Sequence, residues 1–220
     1  MDKKFTHDFI EIPKLKRENV DGSRKYLTPE GNHYPSVTTI LSHKSKPWVQ
    51  AWRQRVGEAE ANKISRTATA RGTKFHTLCE NALRNEYEDK SKLSLLDVEM
   101  YDAMRPLLND IDNIKSIEQT MYSDHLRLGG QADCIAEYKG KLSIIDFKTS
   151  KKRKTRSNCY NYFIQCSAYA IMFEERTGIP VSQSVIIMAM EDDGPAVFTA
   201  TRDEFVPQLI EARDAYELEN

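Results

Sequence analysis

Gly129-Gly-Gln-Ala-Asp133-Cys-Ile-Ala-Glu-Tyr-Lys-Gly140-Lys-Leu-Ser-Ile-Ile-Asp146-Phe-Lys148-Thr-Ser150 is the stretch from which the fold is read. Two strand-like runs meet at Lys139-Gly140, which has the composition of a hairpin tip. With those two residues as the tip, Tyr138 faces Lys141, and counting back sets Asp133 opposite Asp146. Side chains along a strand repeat every two residues, so Asp133, Asp146 and Lys148 share one face, while Ile145 and Phe147 point to the core. Like charges facing each other across a strand pair destabilise it. A divalent cation relieves that repulsion. Two carboxylates, the Phe147 carbonyl and waters make a hard-oxygen site suited to Mg²⁺ or Mn²⁺. Lys148 is then placed to orient or activate a water, or to stabilise charge on a phosphoryl group. An Asp-x-Lys triplet is weak by itself, and a slip of one residue reverses the face. The weight comes from Asp146 lying inside the apolar run Leu142-Ser-Ile-Ile-Asp-Phe, where a charge seldom sits without a task.

Working outward, a helix is expected from about Asn158 to Arg176, stopped by Gly178-Ile-Pro180. Val181 to Met190 reads as a buried strand, Asp192-Asp-Gly194 as a turn, Ala196 to Ala200 as a short strand, and Asp203 as the start of a last helix. Upstream of the hairpin, Ser116 to Tyr122 is another strand. Ser94 caps a helix with apolar positions at Leu95, Val98, Met104, Leu107, Leu108 and Ile111, kinked at Pro106. Further helices are expected at Thr67 to Arg84 and from Pro47 to about Ile64. Ser36 to Leu41 is β-prone. The rest of residues 1–46 reads as irregular, with turns at Asp21-Gly22 and Pro29-Glu-Gly31. The expectation is one α/β domain over 1–220, mainly helical over 1–112, with an α/β core over 113–220.

Hydrophobic residues at 40% and charged residues at 30% are a core-forming mixture and exclude wholesale disorder. A net charge of −1 means that any nucleic-acid surface has to come from local clustering. One cluster is evident: Lys148, Lys151, Lys152, Arg153, Lys154 and Arg156 fall within nine residues. Such a run is usually a solvated loop, and its position beside the carboxylates is what gives it weight. Trp48 and Trp52 share a helical face near Arg53 and Arg55. That is a stacking surface for single-stranded bases or, equally, a core contact. No apolar run reaches the ~18 residues of a membrane span. The first twenty residues lack the apolar centre of a signal peptide, so a cytoplasmic protein is expected. Cys79, Cys134, Cys159 and Cys166 are separated by 55, 25 and 7 residues, a spacing that suits reduced thiols and no iron–sulfur cluster.

Taken together, Asp133 to Leu142, Ile145-Asp-Phe-Lys-Thr-Ser150, Pro35-Ser-Val-Thr38 and Arg71-Gly-Thr-Lys-Phe-His76 resemble the RecB-like exonuclease group of the PD-(D/E)XK superfamily. They are similar in particular to the mitochondrial genome maintenance exonucleases, over about residues 35–170. The resemblance implies a restriction-endonuclease-like core, with a mixed central sheet between helices and a helical N-terminal part. It also implies a metal-dependent DNA exonuclease that threads single strands with free ends. By the same resemblance His76 joins Asp133, Asp146 and Phe147 at one or two Mg²⁺ or Mn²⁺ ions; Glu80, one turn on along the same helix face, either orients His76 or is simply solvated. Glu118 is a candidate for a second ion, and equally a solvent-facing strand residue. Gln165 and Tyr169, four apart on one helix face, are implied to lie near the scissile phosphate. Trp48, Trp52, Arg53, Arg55, Arg66 and Arg71 become available to bases and phosphates. The rival readings are a structure-specific endonuclease on the same core and a non-catalytic nucleic-acid-binding module. Clustered acids beside phosphate argue against the second. The absence of a transit-like leader fits a bacterial cell or a phage-infected host.

Overall fold

Alternating apolar residues in three successive segments build the centre of the molecule, described here by a computed structural model over residues 3–20, 22–43 and 45–219. β4 (Ile111–Ser123), β5 (Leu128–Tyr138) and β6 (Lys141–Ser150) form an antiparallel meander. The tip is Lys139-Gly140 as expected, with φ of 51° and 76°, the left-handed pair that a type I′ turn demands. β6 then pairs in parallel with β7 (Gln183–Met190), and β8 (Ala196–Thr201) closes the sheet in the order β4-β5-β6-β7-β8. A parallel neighbour requires a crossover, and α5 (Tyr160–Thr177) supplies it. Gly178 ends that helix at φ 73°.

Each face of the sheet carries its own core. Ile144, Ile186 and Met188 pack with α5, α6 (Val206–Glu219) and α1 (Val37–His43). Ile145, Phe147, Val185 and Ile187 pack with α3 (Glu58–Leu83) and α4 (Leu95–Met104).

The N-terminal region departs from expectation. Residues read as irregular form a separate antiparallel sheet of β1 (Lys16–Val20), β2 (Ser23–Leu27) and β3 (His33–Pro35). Its strands are short and charged, so they carry little apolar alternation to read. Tyr26 is their one fully buried anchor, and it rests on the backbone of Gly129. A Cβ at Gly129 would lie 2.6 Å from that of Tyr26, so the contact requires glycine. Asp21 of the expected turn lies outside the described residues. Residues 37–41, expected to be extended, are helical in α1. Ser36 Oγ accepts from the Thr39 N–H at 3.0 Å, and Val37 and Ile40 are buried. The cap and that burial override the β preference of Val-Thr-Thr-Ile. Residues 6–10 run along β4, where Asp8 and Ile10 donate to Ile114 and Lys115 and cover an otherwise open sheet edge.

The helix boundary expected after Ile64 falls instead at Gly57, whose φ of 83° breaks the chain between α2 (Lys46–Val56) and α3. α2 buries no residue, and residues 62–70 of α3 are all exposed. α2 and the first half of α3 therefore stand out from the body as an arm. Ser94 caps α4 as expected, accepting from the Asp97 N–H at 3.2 Å. Pro106 lies in a 3₁₀ turn after Met104, and Ile111 already belongs to β4.

Candidate active site

The β5–β6 ladder runs from Tyr138–Lys141 to Cys134–Ile145 and opens there. Asp133 and Asp146 are the first residues past the fork. They do not face each other across an intact ladder as expected. Instead the Phe147 N–H donates to Asp133 Oδ2 at 2.9 Å across the opening, while β6 stays paired with β7 on its other edge from Ser143 to Ser150.

A second irregularity lies opposite. Ile117 pairs with Cys134 and Gln119 with Ala132, and the intervening Glu118 has φ 53°. Ile117 and Cys134 pack on the α3 side, whereas Met121 and Ala132 pack on the α5 side. Even spacings would keep each pair on one face, so both strands switch faces here. The switch takes Glu118 and Asp133 out of the regular alternation and lets them meet α3.

On α3, Phe75, Leu78, Cys79 and Ala82 form the buried i, i+3, i+4, i+7 stripe. His76 sits at its margin, edge-on to the Phe147 ring. Its Nδ1 lies 3.4 Å from Asp133 Oδ2. His76, Glu118 and Asp133 each offer a ligand atom, all within 4.8 Å of one another. Gln131 steadies Glu118, its Nε2 donating to Oε2 at 2.6 Å. That support was not anticipated. Its only trace in the sequence is a polar residue two before Asp133.

Asp146 and Lys148 form the other half of the site. Asp146 is 1% exposed, and Lys148 Nζ donates to its Oδ1 at 2.6 Å. The ammonium also lies 5.1 Å from the Tyr162 ring centre on α5. Oδ2 of Asp146 has no hydrogen-bond partner among the described residues, although Nζ is 2.6 Å away. The expected four-way convergence is thus divided. One cluster joins α3 to the β4–β5 irregularity, and the other joins β6 to α5.

Electrostatics tie the halves together. Burial, then Asp133 and Glu80, push Glu118 up to about 7. Burial also pushes Asp146 up to about 6, with Asp133 adding to it and Lys148 opposing. Burial pulls the Lys148 ammonium down, but Asp146 and Asp133 outweigh it and hold it above the ordinary lysine value. Carboxylates crowded with an imidazole are a donor set that a hard divalent cation satisfies.

A pH dependence follows. Glu118 and Asp146 have folded-state pKa values above their unfolded ones. Without metal, their contribution is therefore fully present below about pH 4 and lost as pH rises through about 6 to 7. A cation needs the charged forms and acts in the opposite direction. The rise in melting temperature on adding Mn²⁺ or Mg²⁺ after chelation should be larger at pH 8 than at pH 5. An equal rise at both would remove these carboxylates from the metal site.

The remaining candidates divide by environment. Tyr169 is buried, and its hydroxyl accepts from Gln165 Nε2 at 2.9 Å. A Cβ on Gly130 would come within 2.3 Å of its ring, so Tyr169 braces β5 just before Asp133. Glu80 pairs with Arg84 at 3.1 Å rather than with His76. Arg71 does not stand open to a phosphate. It bridges Asp97 at 2.6 Å and Glu191 at 2.9 Å, tying α3 to α4 and to the end of β7. Arg53 is engaged by Glu58 and Asn62.

In the basic loop Arg153 pairs with Asp193, and Arg156 with Glu204, while Lys151 and Lys152 are exposed. Trp48 is 80% exposed, which rules out core packing, and Trp52 is half-buried. A cleft of ≈ 320 Å³ separates Lys63, Ile64, Thr67 and Arg71 on α3 from Thr149 to Lys151 at the end of β6. Cys79, Cys134, Cys159 and Cys166 are free and buried.

The PD-(D/E)XK nuclease superfamily model matches residues 36–217. Mitochondrial genome maintenance exonuclease 1 of Xenopus tropicalis is 30% identical over 204 residues, covering 85% of this chain and 58% of that protein. The Homo sapiens protein of the same name is 28% identical over 177 residues, covering 75% and 52%. The chain therefore spans about half the length of these relatives.

Proposed function

The chain belongs to the PD-(D/E)XK nuclease superfamily, and on that premise we propose that it is a metal-dependent DNA exonuclease acting on single strands with free ends. The observation that carries the reading is the fork at Asp133 and Asp146, with His76, Glu118 and Lys148 around it. Relatives named as genome maintenance exonucleases support the exonuclease part.

His76, Glu118 and Asp133 are the residues to hold Mg²⁺ or Mn²⁺, with Asp146 and the Phe147 carbonyl beside them. A divalent cation in such a site lowers the pKa of its water and polarises a phosphoryl oxygen. Lys148, kept charged by Asp146 and Asp133, sets a fixed cation against the charge that develops on the phosphoryl group. Tyr169 holds β5, and hence Asp133, in place. Lys151 and Lys152 attract the backbone that the acids would repel.

The preference for single strands rests on the projecting arm. The exposed half of α3 lines the cleft that ends at Thr149 to Lys151, and α2 extends from it beyond Gly57. On this reading a flexible strand enters between arm and sheet and a duplex is excluded. Incubation with Mg²⁺ or Mn²⁺ and equal masses of linear and covalently closed single strands tests this. Linear strands should disappear while circles persist. Equal loss of both would replace threading with an endonuclease on the same metal chemistry.

A further inference from the structure

The β1–β2 hairpin places two arginines where the reaction just proposed has a use for them. Arg17 lies opposite Tyr26, and Asn19 opposite Arg24. These four side chains therefore share one face of the small sheet, with Arg17 and Arg24 as diagonal neighbours. Tyr26 fixes that face against Gly129, four residues before Asp133. Tyr34, on the same face of β3, reaches Asp124 with its hydroxyl at 2.9 Å, and its ring lies 6.3 Å from that of Tyr122 on β4. The face thus looks towards the β4–β5 part of the main sheet. Tyr26 lies within electrostatic reach of Arg24, Arg17 and Glu118.

On the opposite face of the hairpin Glu18 pairs with Lys16 at 2.8 Å and with His33 at 3.0 Å, and Lys25 lies opposite Glu18. Arg17 and Arg24 are exposed, and neither forms an ion pair among the described residues. Two exposed guanidiniums side by side on one face, with Arg17 also hydrogen-bonded to the Tyr26 side chain, present converging donors to an anion. Guanidinium geometry suits phosphate in particular. The superfamily match begins at residue 36, so this sheet lies outside the matched segment.

We propose that the inner face of the β1–β2 hairpin is a phosphate clamp. Arg17 and Arg24 hold two backbone phosphates of the single-stranded substrate on the Glu118 side of the metal site, across the fork from the basic loop. The inference rests on the single-strand nuclease reading. It adds a second contact region, so that the strand is held on both sides of the scissile bond.

The test is an anisotropy titration of labelled linear oligothymidylate across a salt series, with Ca²⁺ replacing the catalytic ion. Arg17→Gln combined with Arg24→Gln should weaken binding about tenfold. It should also flatten the dependence of log Kd on log salt by about 1.4, the loss of two phosphate contacts at ~0.7 each. The KM for linear strands should rise in parallel. Arg17→Lys with Arg24→Lys keeps the charge and should keep most of the salt slope. Lys16→Gln with Lys25→Gln removes the same charge from the opposite face and should change Kd by less than about twofold. An unaltered slope in the glutamine pair overturns the clamp, as does equal weakening by the opposite-face pair. If the unmodified protein fails to bind the labelled strand at all, the single-strand reading fails and the clamp fails with it.

Discussion

Asp146→Asn is expected to reduce DNA cleavage by about a thousandfold, the scale on which one electrostatic contributor in a closed site acts. The carboxylate is 1% exposed and lies next to Lys148 in the open fork, so its charge is concentrated where water cannot screen it. Asparagine keeps the shape but removes the anion that a cation requires. It also removes the repulsion with Asp133, while Asp133 remains to balance Lys148. The fold should therefore survive, with a lowered melting temperature because Lys148 loses its nearest buried counter-charge. Cleavage of labelled linear single strands and thermal denaturation, measured on the same preparation, check both halves. Near-normal cleavage by the folded variant would take Asp146 out of the chemistry.

Lys148→Ala should cut kcat by about 10²–10³ while changing the affinity for DNA by less than about tenfold, because its proposed action lies in the transition state. It also strips Asp146 of its buried partner. Loss of one member of a buried pair costs roughly 3–5 kcal/mol, so the variant should melt measurably lower. A pH profile separates the two effects. Asp146 already stands at about 6 with Lys148 beside it, and Lys148 is what pulls it down. Without the ammonium the carboxyl stays protonated to higher pH, and residual activity should rise later along the pH axis than in the parent. A variant with unchanged pH dependence and a purely raised KM would make Lys148 a binding residue instead.

The hairpin could be read directly because its signals are local. Lys139-Gly140 needs only its own left-handed backbone to set the tip, and the alternation on each side fixes the register as far as Cys134 and Ile145. The same local logic gave β7 as an apolar run, Gly178 as a helix stop and Ser94 as a cap. It also gave Asp146 and Lys148 their place in the site, since a charge inside an apolar strand is conspicuous without any fold.

What the sequence by itself determined was therefore the β5–β6 hairpin, the order of elements from β4 onward, and the residue types of a candidate metal site. What only the tertiary structure decided depends on contacts between distant segments. Glu118 joins His76 and Asp133 because a left-handed residue switches the face of β4, which no periodicity encodes. Arg71 looked free for phosphate until Asp97 and Glu191, 26 and 120 positions away, closed on it. The charged β1–β3 sheet is held by one tyrosine fitting a glycine more than a hundred residues downstream. Trp48 is exposed because Gly57 breaks the helix and sends α2 away from the core. Local propensity fixes turns, caps and strand register over a few residues. Side chains at the site are placed by long-range packing, which the sequence does not display as a pattern.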